Sequence, residues 1–329
     1  MGDAPPVLVT RRLPPGPMGA VAERCEVDLW DGEGAMPREE LLRRIAGKRG
    51  AITLLTDRVD AELLDAAGPD LAIVANYAVG FDNIDVDECT RRGVLASNTP
   101  DVLTETTADT AWALMMAAAR RIAEGDRFLR GRQPWIWEPE MMLGQDVHGK
   151  VLGIVGFGRI GQAVARRGSG FGMRVLYSDV VRPPAEVESE LRAEHRQLDD
   201  LLAEADFVSV HVALTPETRH LFDAGRFRRM KPTAVLVNTS RGPVIDEAAL
   251  AEALASGELF AAGLDVFERE PEVHPRLLEL DNAVVIPHLG SATVETRDAM
   301  GFLAVENLVN SLEGRRPPTL VNPEVWTSG

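Results

Sequence analysis

The stretch that decides the fold is Val151–Gly161, VLGIVGFGRIG. The apolar run Val151–Val155 leads straight into Gly156, Gly158 and Gly161, which reads as a buried strand, a tight turn and the start of a helix. This is the G-x-G-x-x-G dinucleotide fingerprint. Gly156 allows the turn, Gly158 lets the backbone approach a pyrophosphate, and Gly161 lets the helix pack close to the strand. The phosphates then meet a helix N-terminus, where free N–H groups and the helix dipole favour anions. Alone, the fingerprint matches any glycine-rich turn. Here a second strand, Arg174–Tyr177, follows and ends in Ser178-Asp179. Asp179 lies 18 residues past the last glycine, Gly161, close to the spacing of about 20 expected for the acid that binds the adenosine ribose.

At 329 residues the chain is long enough for two domains, each with its own core. A net charge of −16 with no long basic run argues against a nucleic-acid or membrane-surface partner. An anionic ligand therefore needs locally placed arginines and helix termini. Cys25 and Cys89 form no metal or redox spacing, so the expectation is reduced thiols, a cytoplasmic location and no metal. The start, MGDAPPVLVT, has no apolar signal core, and no apolar run reaches the length of a membrane span.

Before the fingerprint, residues 7–100 alternate between strand and helix patterns. Val7–Thr10, Ala51–Leu55 and Leu71–Ala75 read as strands, and Pro37–Ile45 and Asp85–Arg92 as helices. Thr104–Ala119 reads as a long helix, and Gly131–Gly149 as an irregular segment carrying Trp135 and Trp137. After it, Phe207–Val210, Ala234–Val237, Ala261–Leu264 and Ala283–Ile286 are strands. Asp246–Ser256 is a helix capped by Asp246, and Thr293–Leu312 is the final helix. Repeated strand–helix units predict parallel α/β layers.

In open α/β sheets ligands bind beyond the carboxyl ends of the strands. Asn238-Thr239-Ser240-Arg241-Gly242 follows one predicted strand, and Asp265, with Glu268-Arg269-Glu270 soon after, follows the next. Pro287-His288-Leu289-Gly290-Ser291 follows the last. An arginine, an acid and a histidine at successive strand exits can polarise a carbonyl beside a carboxylate and move one proton. A guanidinium grips a carboxylate with two hydrogen bonds, and an imidazole exchanges a proton near neutral pH. A carboxylate on the other ring nitrogen fixes the tautomer and favours imidazolium.

These residues also carry a resemblance. The chain resembles the D-isomer-specific 2-hydroxyacid dehydrogenases, in particular their glyoxylate/hydroxypyruvate reductase branch. The matching blocks are NYAVGFDNID from Asn76, GFGRIGQ from Gly156, NTSRGPVID from Asn238, GLDVFEREP from Gly263, PHLGSAT from Pro287 and PPTLVNPEV near the end. The resemblance implies two Rossmann-like or flavodoxin-like parallel-sheet domains with an active-site cleft between them. Residues 1–99 plus 289–329 form the substrate-binding domain, and 100–288 the NAD-binding Rossmann domain. It implies Arg241 as the substrate-binding arginine, Glu270 as the acid paired with the histidine, and His288 as the proton donor. Only the match to D-V-F-x-x-E-P selects Glu270 over Glu268 and Glu272. The resemblance further implies that the backbone N–H groups of Val79 and Gly80 hold the substrate carboxylate and that Leu55 lines the pocket for the small side group. Cofactor contacts fall on Thr107, Gly156, Gly158, Arg159, Ile160, Gly161, Asp179, Thr239, Ser240, Arg241, Asp265, His288 and Gly290.

Asp179 pairs with ribose hydroxyls and repels a 2′-phosphate, so NAD is expected over NADP, with Arg182 a partial rescue for the latter. Trp135 and Trp137 either fill a hydrophobic seam or, as the resemblance implies for Trp137, reach the active site of a partner in a homodimer built through the nucleotide domain. His148, His195, His211, His220 and His274 lack the context of His288, which follows a buried strand and precedes a Gly/Ser turn, and read as structural or exposed. The expected reaction is reduction of glyoxylate or hydroxypyruvate. The alternatives are a phosphoglycerate- or phosphite-type dehydrogenase, or an NAD-sensing, corepressor-like binding protein.

Overall fold

A computed structural model describes residues 4–132 and 134–327. The chain divides into two compact units, one formed up to Leu103 and again from Ala292, the other by Thr104–Ser291.

The first unit contains β1 (Pro6–Val9), α1 (Pro15–Ala22), β2 (Glu26–Leu29), α2 (Arg38–Ile45), β3 (Gly50–Thr53), α3 (Ala61–Ala67), β4 (Ile73–Asn76), α4 (Val86–Arg91) and β5 (Leu95–Ser97). Its sheet is parallel, in the order β2-β1-β3-β4-β5. This is the flavodoxin-like order, which reverses between β1 and β3. Strands β3 and β4 are buried along their whole length, as a parallel sheet covered on both faces requires. Strand β3 stops at Thr53, short of the expected Leu55, because the Leu54 N–H turns to the buried Asp57 carboxylate at 2.8 Å.

The second unit opens with α5 (Thr104–Ala119) and α6 (Ile122–Arg130). It continues through β6 (Val151–Val155), α7 (Arg159–Gly170), β7 (Arg174–Ser178), α8 (Ala185–Leu191), β8 (Ala193–His195), α9 (Leu198–Glu204) and β9 (Phe207–Val210). Then come α10 (Ala224–Phe227), β10 (Val235–Asn238), α11 (Glu247–Ser256), β11 (Ala261–Leu264), α12 (Pro275–Glu279) and β12 (Ala283–Val285). The chain returns to the first unit with α13 (Val294–Leu312), N-capped by the Thr293 hydroxyl. The expected irregular segment between Gly131 and Gly149 contains no strand or helix among its described residues.

The second sheet is also parallel, in the order β12-β11-β10-β9-β6-β7-β8, which is Rossmann order with one added strand. Alternate residues feed opposite faces. Val235 and Val237 pack with Trp112 and Met115 of α5, whereas Leu236 packs with Leu201 of α9 and Leu250 of α11. Each such buried aliphatic side chain stabilises by about 1.5–3 kcal/mol, taken as an upper bound. Register matters most for function. Ser178, Val155, Val210, Asn238, Leu264 and Val285 pair in one continuous row across the sheet. The residues that follow each strand therefore emerge along a single edge.

Candidate active site

At the centre of that edge lies the glycine turn. Gly156 has φ 93°, and a Cβ there would lie 2.6 Å from the His211 carbonyl carbon. A Cβ on Gly161 would lie 2.2 Å from the Gly156 oxygen, so only glycine lets α7 start this close to β6. Gly158 behaves differently: nothing stands within 4 Å of its Cβ position, which is open space at the N-cap of α7. The N-cap residue Gly158 makes no side-chain cap bond to this 12-residue helix, whose N-terminus suits an anionic ligand. An open approach, an uncapped helix start and a carboxylate at the β7 exit fit the pyrophosphate and ribose of a dinucleotide. Arg159 and Ile160 open that helix. The Asp179 carboxylate accepts hydrogen bonds from Phe157 N at 2.6 Å and Val181 N at 2.9 Å, which fix it beside the turn. Arg182 pairs with Glu188 at 3.1 Å rather than with Asp179.

The acid–base residues come from the exits of β10, β11 and β12. His288 Nδ1 and Glu270 Oε2 are 2.9 Å apart, and each side chain keeps 28% of its surface exposed, enough for a ligand to reach. Phe267 N donates to the other Glu270 oxygen at 3.1 Å. Burial opposes ionisation of Glu270. The His288 hydrogen bond and charge, the Phe267 N–H and the Arg241 guanidinium outweigh it, and the carboxyl titrates below its ordinary range. The His288 backbone has φ 52°, an uncommon conformation for a non-glycine residue and one fixed by its neighbours. His288 N donates to Asp265 O at 2.9 Å. The Asp265 carboxylate, 1% exposed, accepts from Leu289 N at 2.5 Å and Gly290 N at 2.8 Å. Burial foremost pushes Asp265 above its ordinary value. Thr107 of α5 closes this corner, 3.4 Å from where a Gly290 Cβ would lie.

Arg241 reaches the group through two neighbours. The buried Asn238 side chain shapes its turn, accepting from Ser240 N at 3.0 Å and donating to Arg241 O at 3.0 Å. A Cβ on Gly242 would fall 1.8 Å from the Phe267 carbonyl carbon. Only glycine lets the segment bearing Arg241 lie against the one bearing Glu270. Thr239 is nearly buried, and its hydroxyl lies 3.5 Å from His211 Nδ1.

In the first unit, Val79 and Gly80 follow β4. Ala78 O accepts from Thr99 N at 2.8 Å, Val79 O from Asn98 Nδ2 at 2.8 Å and Gly80 O from Asn76 Nδ2 at 2.9 Å. In a trans peptide the N–H points opposite to the carbonyl of the preceding residue. The N–H groups of Val79, Gly80 and Phe81 are thus turned away from this internal network, free to receive an anion. Leu55, 36% exposed, follows β3. Asn76, Asn98 and Asn238 were absent from the sequence-based candidates; their signal is an amide at a strand exit. Trp135 and Trp137 overturn the seam reading: they are 57% and 75% exposed, and Ile136 between them 73%.

Among the described residues no cluster of three or more His, Cys, Asp or Glu is placed to hold a metal ion. No helix among them is long and apolar enough to cross a membrane.

The sequence signature of the D-isomer specific 2-hydroxyacid dehydrogenase, NAD binding domain, matches residues 112–290. A glyoxylate reductase of Thermococcus onnurineus is 52% identical over 326 residues, covering 98% of this chain and 97% of that protein. The crystal structure of a glyoxylate reductase from Paecilomyes thermophila superposes with a TM-score of 0.87 at 33% identity, covering 98% of this chain and 100% of the other. An NADPH-dependent glyoxylate/hydroxypyruvate reductase of Sinorhizobium meliloti, solved with NADP and malonate, gives 0.83 at 32% identity, covering 97% of each chain. A dinucleotide-binding edge carrying an acid–base pair thus belongs to a known class, and the chain is a member of the D-isomer specific 2-hydroxyacid dehydrogenase family. Within that family it is an NAD(P)-dependent D-2-hydroxyacid dehydrogenase.

Proposed function

We propose that this enzyme reduces glyoxylate and hydroxypyruvate with NADH, using His288, Glu270 and Arg241. The observation that carries the reading is the Glu270–His288 pair, 2.9 Å apart and reachable from solvent, on the same sheet edge as the glycine turn. Bound NADH supplies the hydride to C2 of the 2-oxo acid. His288 donates its proton to the carbonyl oxygen as negative charge develops there, and Glu270 stabilises the imidazolium that precedes that transfer. Nδ1 faces Glu270, so Nε2 is the nitrogen that works. Arg241 holds the carboxylate and polarises the carbonyl. The first unit is the substrate-binding part, with the Val79 and Gly80 N–H groups on the carboxylate and Leu55 beside the small side group. The second is the NAD-binding part. Thr107, Thr239, Ser240, Asp265 and Gly290 join the glycine turn and Arg159, Ile160 and Asp179 in holding the cofactor.

The Asp179 carboxylate favours NAD over NADP, since a like charge at contact costs about 1–4 kcal/mol at intermediate dielectric. Arg182 gives NADP little help, because Glu188 already engages it. The Sinorhizobium relative is described as NADPH-dependent, so cofactor choice varies among these proteins. The second unit pairs with its copy in a homodimer. Ile122, Leu129, Trp135, Ile136, Trp137 and Leu143, all more than half exposed, supply the apolar surface for it. Trp137 then contacts the partner's substrate. No membrane or nucleic acid takes part, and the enzyme works in the cytoplasm. The test is NADH oxidation across a panel of 2-oxo acids. Fastest turnover with glyoxylate or hydroxypyruvate is expected; preference for a bulky 2-oxo acid, or no turnover with any, overturns the reading. Sedimentation of wild type and Trp137→Ala tests the dimer.

A further inference from the structure

The buried carboxylate of Glu247 is absent from the mechanism above. It opens α11, yet that helix already has its cap, the Asp246 side chain accepting from Ala249 N at 2.9 Å. Glu247 is only 6% exposed and turns back toward the segment after β11. One oxygen accepts from Glu268 N and the other from His274 N, the latter at 3.1 Å. Glu268 returns the contact, accepting from Glu247 N at 3.3 Å while its other oxygen meets His220 Nε2. Both ends of the loop that contains Glu270 are therefore tied to one interior side chain. Glu270 itself accepts from Phe267 N, the neighbour of the N–H that Glu247 holds. Burying a carboxylate is costly, and burial pushes this one above its ordinary value. Helix capping does not account for it, because Asp246 does that work.

We infer that Glu247 is a positioning residue for the acid–base pair, clamping the Glu268–His274 loop so that Glu270 meets His288. The inference rests on the catalytic reading of Glu270 and His288. Replacement by glutamine keeps the shape but leaves one acceptor for two N–H donors. The amide NH2 then faces a backbone N–H, and one end of the loop is released. Glu247→Gln is expected to lower kcat for glyoxylate about 10- to 100-fold through misplacement of Glu270, with NADH affinity unchanged within about twofold. The deciding measurement is a double-mutant cycle. In a Glu270→Gln background the same change is expected to cost nearly nothing more, since its target is already gone. A loss as large in that background as in wild type overturns the inference, as does wild-type kcat in the single variant. Should Glu247→Gln not fold, judged by NADH binding, Glu247→Asp goes through the same cycle: a loss seen with Glu270 intact and absent in the Glu270→Gln background supports the clamp, an equal loss in both overturns it. His288→Ala is run in parallel. Undiminished turnover there refutes the catalytic reading itself, whereas collapse there with a silent Glu247→Gln refutes only the clamp.

Discussion

The two units place chemistry at their strand exits in opposite ways. In the second, the exits of β10, β11 and β12 carry ionisable side chains that touch: Glu270 with His288, and Arg241 close enough to lower the Glu270 carboxyl. In the first, the exit of β4 offers backbone N–H groups, directed by amides that hold the carbonyls. The side-chain set suits moving a proton; the role proposed for the backbone set is to recognise a charge without titrating. Damage to the second unit should therefore fall on kcat, and damage to the β4 exit on KM.

The largest effect is expected from His288→Ala. Loss of the proton donor should lower kcat about 10²–10⁴-fold while NADH binding, followed by fluorescence, barely moves. Equal losses in both would break the division of labour. Gly242→Ala comes next. A methyl group has no room against Phe267, so the Arg241 and Glu270 segments must part, and kcat should fall about 10²-fold although no reacting group is touched. Asp179→Ser should shift the kcat/KM ratio toward NADPH roughly 10-fold, removing a repulsion of about 1–4 kcal/mol at the 2′-phosphate. An unchanged ratio would mean that Asp179 does not read the ribose. Asn98→Asp keeps the shape but removes the donor to Val79 O. KM for glyoxylate should rise about 10-fold with kcat nearly intact; a fall in kcat alone would show that the β4 exit does more than recognise charge.

The smallest effect concerns stability. His211 bonds Ser209 Oγ at 2.8 Å, and burial lowers its pKa to about 3. The unfolded chain protonates this residue near 6.5 and the folded chain does not, so its share of stability is complete above 6.5 and declines as pH falls toward 3. His211→Asn should flatten that decline in urea titrations; an unchanged decline would show that another group is responsible.

What the sequence disclosed follows the same division. The central strands of the second sheet are unbroken apolar runs, and β6 and β9 have the bounds that their composition predicts. The glycine turn and the strand-exit groups follow from those strands. Motif resemblance, rather than spacing, separated Glu270 from Glu268 and Glu272. The strands that composition concealed lie at margins. Strands β2, β5 and β8 stand at sheet edges, and β2 and β8 carry charged residues that a central strand would exclude. Helix α6 has no buried residue: its apolar stripe, Ile122 and Leu129 with Phe128, is not buried by the rest of the chain, and the helix was not foreseen. The asparagines at the β4 and β5 exits and the Glu247 clamp were illegible for another reason. Their partners are backbone atoms, and which backbone atoms approach them is settled only once the chain has folded.

Helix α13 packs on β3 and β4 and against α1, and the Asn322 side chain holds Ala96 N at 2.8 Å. The first unit thus encloses its sheet with chain made after the whole second unit. On the ribosome the nucleotide-binding part can reach its native state while the amino-terminal sheet still lacks its cover, so the segment synthesised first is the last to be finished and waits longest for chaperones to shield it.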